Sequence, residues 1–77
     1  MKLDLILEKL DGEGIKHLRE SHNISQEALA RKLQISPKTV WRWEKGNRIS
    51  PLARYRLKEV FGDYFSSDEF YARYMKA

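Results

Sequence analysis

Residues 25–46 read SQEALARKLQISPKTVWRWEKG, and this stretch decides the fold. Ser25 suits an N-cap, because its hydroxyl can accept from an orphan N–H of a first helical turn. Ile24 and Leu29 take the two positions of a hydrophobic staple around it. Leu29, Ala30 and Leu33 then recur at helical spacing and give one apolar face. The pattern repeats at once. Ser36 is a second N-cap, Pro37 fits the first helical position, and Ile35 and Val40 form a second staple. Val40 and Trp43 fall three apart and can point inward together. Gly46 is placed to end the second helix in the left-handed conformation. Only Gln34, Ile35 and Ser36 separate the helices, and so short a connection forces a steep corner.

The second helix carries Lys38 and Arg42 four apart, hence on one face, roughly opposite Val40 and Trp43. A helix with a buried apolar side and a basic, hydrogen-bonding outer side fits the DNA major groove. The plainer reading is a solvated charged face, as most surface helices have.

Charge distribution bears on that choice. The chain of 77 residues has a net charge of +4, but residues 31–58 hold nine Lys or Arg against one acid, Glu44, for +8. The remainder sums to −4. Such asymmetry is the electrostatic footprint of a polyanion-binding face. The length allows one small core. Cysteine is absent, which excludes disulfides and thiolate zinc sites, so helix packing must supply the stability. No apolar run approaches the ~20 residues that span a bilayer and no N-terminal signal pattern is present. A soluble cytoplasmic protein is expected.

The run from Gly14 to Phe61, GIKHLRESHNISQEALARKLQISPKTVWRWEKGNRISPLARYRLKEVF, resembles the Cro and phage-repressor (XRE-like) helix-turn-helix domain. LRE ahead of SQEALA, then IS, then the closing WEKG, then a proline-started helix carry the resemblance. It covers about two thirds of the chain. It implies an all-α, lambda-repressor-like bundle of five or six helices with the helix-turn-helix at 25–46, binding double-stranded DNA as a transcriptional regulator, expected to be a repressor. Three departures stand out. Asn23 and Gln34 occupy positions where the family often has glycine; Gln34 would be strained there by about 1 kcal/mol. Trp41 is a large aromatic where a small or polar residue is usual.

The resemblance implies base contacts from Pro37, Lys38 and Arg42, with Thr39 near the backbone or a thymine methyl. Chemically Arg42 is the strongest of these, because its fork can reach O6 and N7 of guanine. Pro37 has no N–H and offers only van der Waals contact. Gln26, at the N-terminus of the first helix of the pair, sits where free N–H groups can hold a phosphate, and the family's matching glutamine often does so. Lys45, Arg48 and Arg54 are further candidates for the DNA backbone. Trp41 could lie along the groove wall with its indole N–H toward a phosphate. Packing against the proline-started helix that Ser50 and Pro51 open, or against the N-terminal segment, is favoured instead, since exposed tryptophan is uncommon. By resemblance Arg19 pairs with Glu44. Independently, Glu44 is the one acid in the basic stretch, near the buried side, and needs a cation there.

The flanks divide the chain into an apolar segment 1–10, a helix-turn-helix domain 11–62 and an amphipathic helix in 63–77. Leu3, Ile6, Leu7 and Leu10 fit a helix; Leu3, Leu5 and Leu7 alone would fit a strand, and Ile6 tips the reading to a helix. Asp11 caps the next helix, which Asn23 closes. Gly12 and Gly14 weaken its first turn. Ala30 is small where helices must approach closely. Ser50 and Pro51 open a helix with Leu52, Ala53, Leu57, Val60 and Phe61 as its apolar positions, and Gly62 is expected to end it. Ser66 and Glu69 form a capping box for a helix over 67–76. That helix either packs on the domain's own core or joins two subunits.

No nucleophile with a base, no carboxylate pair in a cleft and no metal cluster is visible, so an enzyme is not expected, nor a cofactor. His17 and His22 are five apart, poor spacing for a helical metal site. The competing class is a protein-interaction module, such as an antitoxin or regulatory subunit. The basic run argues against it. A homodimer on an inverted repeat, with half-sites about 34–36 Å apart, is the expected assembly.

Overall fold

A computed structural model of the chain describes residues 2–75. Six helices follow one another: α1 (Lys2–Lys9), α2 (Gly12–His22), α3 (Gln26–Leu33), α4 (Pro37–Glu44), α5 (Pro51–Phe65) and α6 (Asp68–Phe70). A π-helical turn, Tyr71–Met75, ends the described chain. No strand occurs among the described residues. The N-terminal segment is a helix, and Ile6, Leu7 and Leu10 enter the core while Leu5 faces solvent.

Serine, asparagine and glycine set the helix limits as elementary capping predicts. Asp11, Ser25 and Ser50 each accept from the backbone N–H three residues on, and Ser36 accepts from Lys38. Three successive helices end alike. Asn23 (φ 53°), Gln34 (φ 58°) and Gly46 (φ 109°) turn left-handed after α2, α3 and α4. After each, the next N–H reaches back five residues: Ile24 to Arg19, Ile35 to Ala30 and Asn47 to Arg42, at 3.0–3.1 Å. Gln34 therefore adopts the glycine-like conformation. The Arg56 guanidinium offsets the strain by donating to the carbonyls of Leu33 and Gln34, at 3.0 and 3.2 Å.

One core joins every helix. Ile15 and Leu18 of α2, Leu29 and Leu33 of α3, Val40 of α4 and Leu57 of α5 are all within 2% of full burial. On α5 the stripe is Ala53, Leu57, Phe61 and Phe65. Leu52 and Val60, expected to be apolar core positions, lie off that stripe and are exposed. Regular helical geometry breaks at Phe61 (φ −125°, ψ 21°), one residue before the expected end at Gly62, and a further turn runs on to Phe65. The extra turn carries Phe65 into a ring cluster with Tyr64 and Phe70, whose centroids lie 5.1–5.8 Å apart.

The tail is helical from Asp68 to Met75, the last turns as a π-helix, and is capped differently than its sequence pattern implied. Ser67, not Ser66, accepts from Phe70 N–H at 3.2 Å, while the Ser66 hydroxyl donates back to Gly62 O. Glu69 therefore closes no capping box and lies 3.9 Å from Arg73. Lys76 lies outside the described residues. The tail packs on its own domain: Phe70 is fully buried, and Tyr74 covers Gly14 and donates to the Asp11 carboxylate. Burial first, and that bond second, push the Tyr74 phenol up from its ordinary value.

Candidate nucleic-acid interface

The α3–α4 corner is held from three sides. Ala30, 1% exposed, gives α3 room to approach α4. Arg56 ties the Gln34 turn to α5. At the far end of α4, the Arg19 guanidinium grips Glu44, with Nε to Oε2 at 2.6 Å and Nη2 to Oε1 at 2.9 Å. Its remaining nitrogen donates to Ile24 O. Burial pushes the Glu44 carboxyl up. The Arg19 bond and charge, helped by Gln26 and Lys16, outweigh that and hold it below its ordinary value. The Arg19 guanidinium is raised in turn, chiefly by its bond to Glu44.

Gly12 completes the clamp, and sequence reasoning missed its role. A Cβ there would collide with the Trp43 carbonyl oxygen and come within 3.0 Å of Glu44 Cα. Only glycine lets the start of α2 lie against the end of α4. Two glycines in a first helical turn, DGEG, were the available signal. Gly14 answers to the same logic, because its face is covered by Leu10 and Tyr74.

With α4 so fixed, Val40 and Trp43 point inward and Pro37, Lys38, Arg42 and Lys45 are exposed. Neither Lys38 nor Arg42 joins an ion pair among the described residues. Two grooves flank α4. One of about 360 Å³ brings Thr39 and Arg42 together with Arg48, and also with Asn47 and Arg56, which were not anticipated as neighbours of the site. The other, about 270 Å³, brings Trp41 and Lys45 together with Gln26, beside Lys16 and Glu44. Arg48 and Gln26 thus stand on opposite flanks of the basic face.

Two residues are placed otherwise than expected. Trp41 does not pack inward: it is 47% exposed, and the Lys45 ammonium lies 5.3 Å above its ring. Trp41 lines the groove that also holds Gln26, Lys16 and Glu44. Arg54, expected at the DNA backbone, is engaged within the fold. Its guanidinium donates to Ile49 O at 3.1 Å and to Leu7 O, stapling α1 to the start of α5. His17 and His22 lie against Tyr74 and against Phe61 and Tyr64, as edge residues. Among the described residues no group could hold a metal ion, and no helix is long and apolar enough to cross a membrane.

A helix-turn-helix family model matches residues 15–62, from the end of α2's first turn to just past the kink in α5. The chain belongs to the XRE-type helix-turn-helix family. Its curated relatives include a candidate HTH-type transcriptional regulatory protein of Pyrococcus abyssi, 41% identical over 56 residues. Similar candidate regulators of Pyrococcus horikoshii and Pyrococcus furiosus are 43% and 39% identical over the same length. Each match covers 71% of this chain but 18% of the relative, so the chain spans under a fifth of their length. No solved structure matches the chain significantly.

Proposed function

We propose that the chain binds double-stranded DNA with sequence preference and regulates transcription, with α4 inserted in the major groove. The observation that carries this is the common outward projection of Lys38 and Arg42 between Arg48 on one flank and Gln26 on the other. An α-helix fills the groove's width. Cations on both flanks then meet phosphates of the two strands, which fix register without reading sequence.

In this reading Arg42 takes a guanine by its fork, Lys38 takes a neighbouring base or phosphate, and Thr39 and Pro37 supply van der Waals contact. Gln26, Trp41, Lys45 and Arg48 hold the backbone. The indole of Trp41, free of the core, lies along the groove wall. Arg54 and Arg56 are structural, and their charges act at a distance. The chain binds as a homodimer on an inverted repeat and represses by occupying it. Membership of the helix-turn-helix family and the regulator names of the relatives support the reading.

Selecting bound duplexes from a random pool tests it. The expected product is an inverted repeat with half-site centres about 34–36 Å apart, one turn of the double helix. A protein-interaction module would enrich no sequence. It would also show little salt dependence, whereas neutralising phosphates lowers log affinity by about 0.9 per log unit of salt for each one.

A further inference from the structure

We propose that the groove between α4 and α5 is a second binding site, fitted to an acidic peptide segment with a bulky apolar side chain, and that its occupation excludes DNA. The groove's volume, about 360 Å³, lies in the range of pockets that take a ligand or an anchoring side chain. Trp43 and Ala53, both buried, and the half-buried Ile35 line its depth. Leu52 stands at its edge, 63% exposed and the most exposed large apolar side chain described. Arg42 and Arg48 stand beside it, exposed and outside any ion pair among the described residues. Arg56 adds a third positive charge, although one of its nitrogens is already committed to Leu33 and Gln34.

A duplex uses the cations of this groove and leaves its apolar part unexplained. Phosphates and sugars have nothing to fill it, and a base edge in the major groove offers at most a thymine methyl. An aliphatic or aromatic side chain flanked by carboxylates uses both parts. The anchor takes Ile35 and Leu52 out of water, and the carboxylates meet guanidinium forks in paired hydrogen bonds. A second copy of the chain fits less well, because facing grooves would bring Arg42 and Arg48 against like charges. A neutral small molecule would leave the arginines unused. Peptide and duplex both require Arg42 and Arg48, so only one can be bound at a time. The site stands on the groove's own chemistry; only the exclusion rests on the DNA reading.

The test is a titration of isotope-labelled protein with a short synthetic peptide, rich in Asp and Glu around a central Phe-Leu pair. One control peptide has Ser-Ser at the centre and a second has Asn and Gln in place of the acids. The same peptides are then competed against a labelled duplex. The parent peptide should shift the amide signals of Ile35, Leu52 and Ala53 and displace the duplex. Each control should bind at least about tenfold more weakly, the worth of one buried anchor or of its charge partners. Leu52→Ser should weaken the peptide about tenfold and leave duplex affinity nearly unchanged. Equal binding by the parent and the Ser-Ser control would overturn the proposal, since the groove would then answer to any polyanion. So would shifts confined to other surfaces, no shift at millimolar peptide, or simultaneous binding of peptide and duplex. Peptide shifts in the groove of a protein that binds no duplex of any sequence would uphold the site and remove the DNA reading instead.

Discussion

Replacing Glu44 with alanine should unfold the domain at a markedly lower temperature while leaving the chemistry of the outward face intact. The Glu44 and Arg19 side chains are 12% and 19% exposed and joined by two short bonds. Exposed pairs contribute about 0–1 kcal/mol, and breaking a fully buried one costs about 3–5 kcal/mol. A forked pair at the edge of the core falls between, at about 2–3 kcal/mol. At about 4–8 °C per kcal/mol for a domain of this size, Tm should drop by about 10–20 °C. The pH dependence has a definite sign. The native carboxyl lies below its ordinary value of 4.5. The pair's contribution is therefore complete above that value and is lost as pH falls through the lower, native one. The Tm gap between wild type and Glu44→Ala should be constant from neutral pH to about pH 5 and should close below it. Arg19→Ala should cost at least as much at neutral pH, because it leaves a half-buried carboxylate without its cation. Thermal denaturation followed by circular dichroism measures all three proteins. A Tm change under about 2 °C, or a gap that widens in acid, would refute the clamp as an energetic feature.

Other outcomes follow from the same geometry. Gly12→Ala improves intrinsic helix propensity by up to about 1 kcal/mol, yet it should lower Tm, because the collision is with backbone at Trp43 and cannot be relieved by a rotamer; a raised Tm would show that α2 and α4 are not in contact. Arg54→Ala should lower stability, measured by urea denaturation, and change duplex affinity less than Arg48→Ala does, since Arg54 serves Leu7 and Ile49. Trp43 is buried and Trp41 exposed, so duplex addition should alter the fluorescence of wild type, and Trp41→Phe should abolish the response; a response that persists would place the contact away from α4.

Much of this architecture is legible in sequence because capping is local chemistry. Asp11, Ser25, Ser36 and Ser50 announce four helices, and Asn23 and Gly46 announce two ends, each through hydrogen bonds made within six residues. The end at Gln34 was readable as well, and its strain is offset by Arg56, 22 residues away, which no local rule reveals. Long-range packing defeated the other readings. Gly62 carries no positive φ; the break falls at Phe61, and the turn beyond it sets Phe65 against Tyr64 and Phe70. The side-chain directions of Trp41 and Arg54 escaped the sequence for one reason. Hydrophobicity and charge say what a side chain prefers, whereas its direction depends on which helix lies beside it. For Arg54 that neighbour is α1, whose position the helix-turn-helix pattern does not contain. The outward pairing of Lys38 and Arg42 was legible because it needs only the period of one helix and the inward pull of Val40 and Trp43.

That pairing is tested most directly with 7-deazaguanine, which removes the N7 acceptor in the major groove and leaves the minor groove untouched. Placed at the guanine facing Arg42 in the selected duplex, it should weaken wild-type binding by about tenfold or more, in line with ~1–3 kcal/mol for such a contact. The Arg42→Ala protein should bind the natural and substituted duplexes equally. Wild-type protein that binds both with the same affinity, at every guanine of the site, would contradict entry of α4 into the major groove.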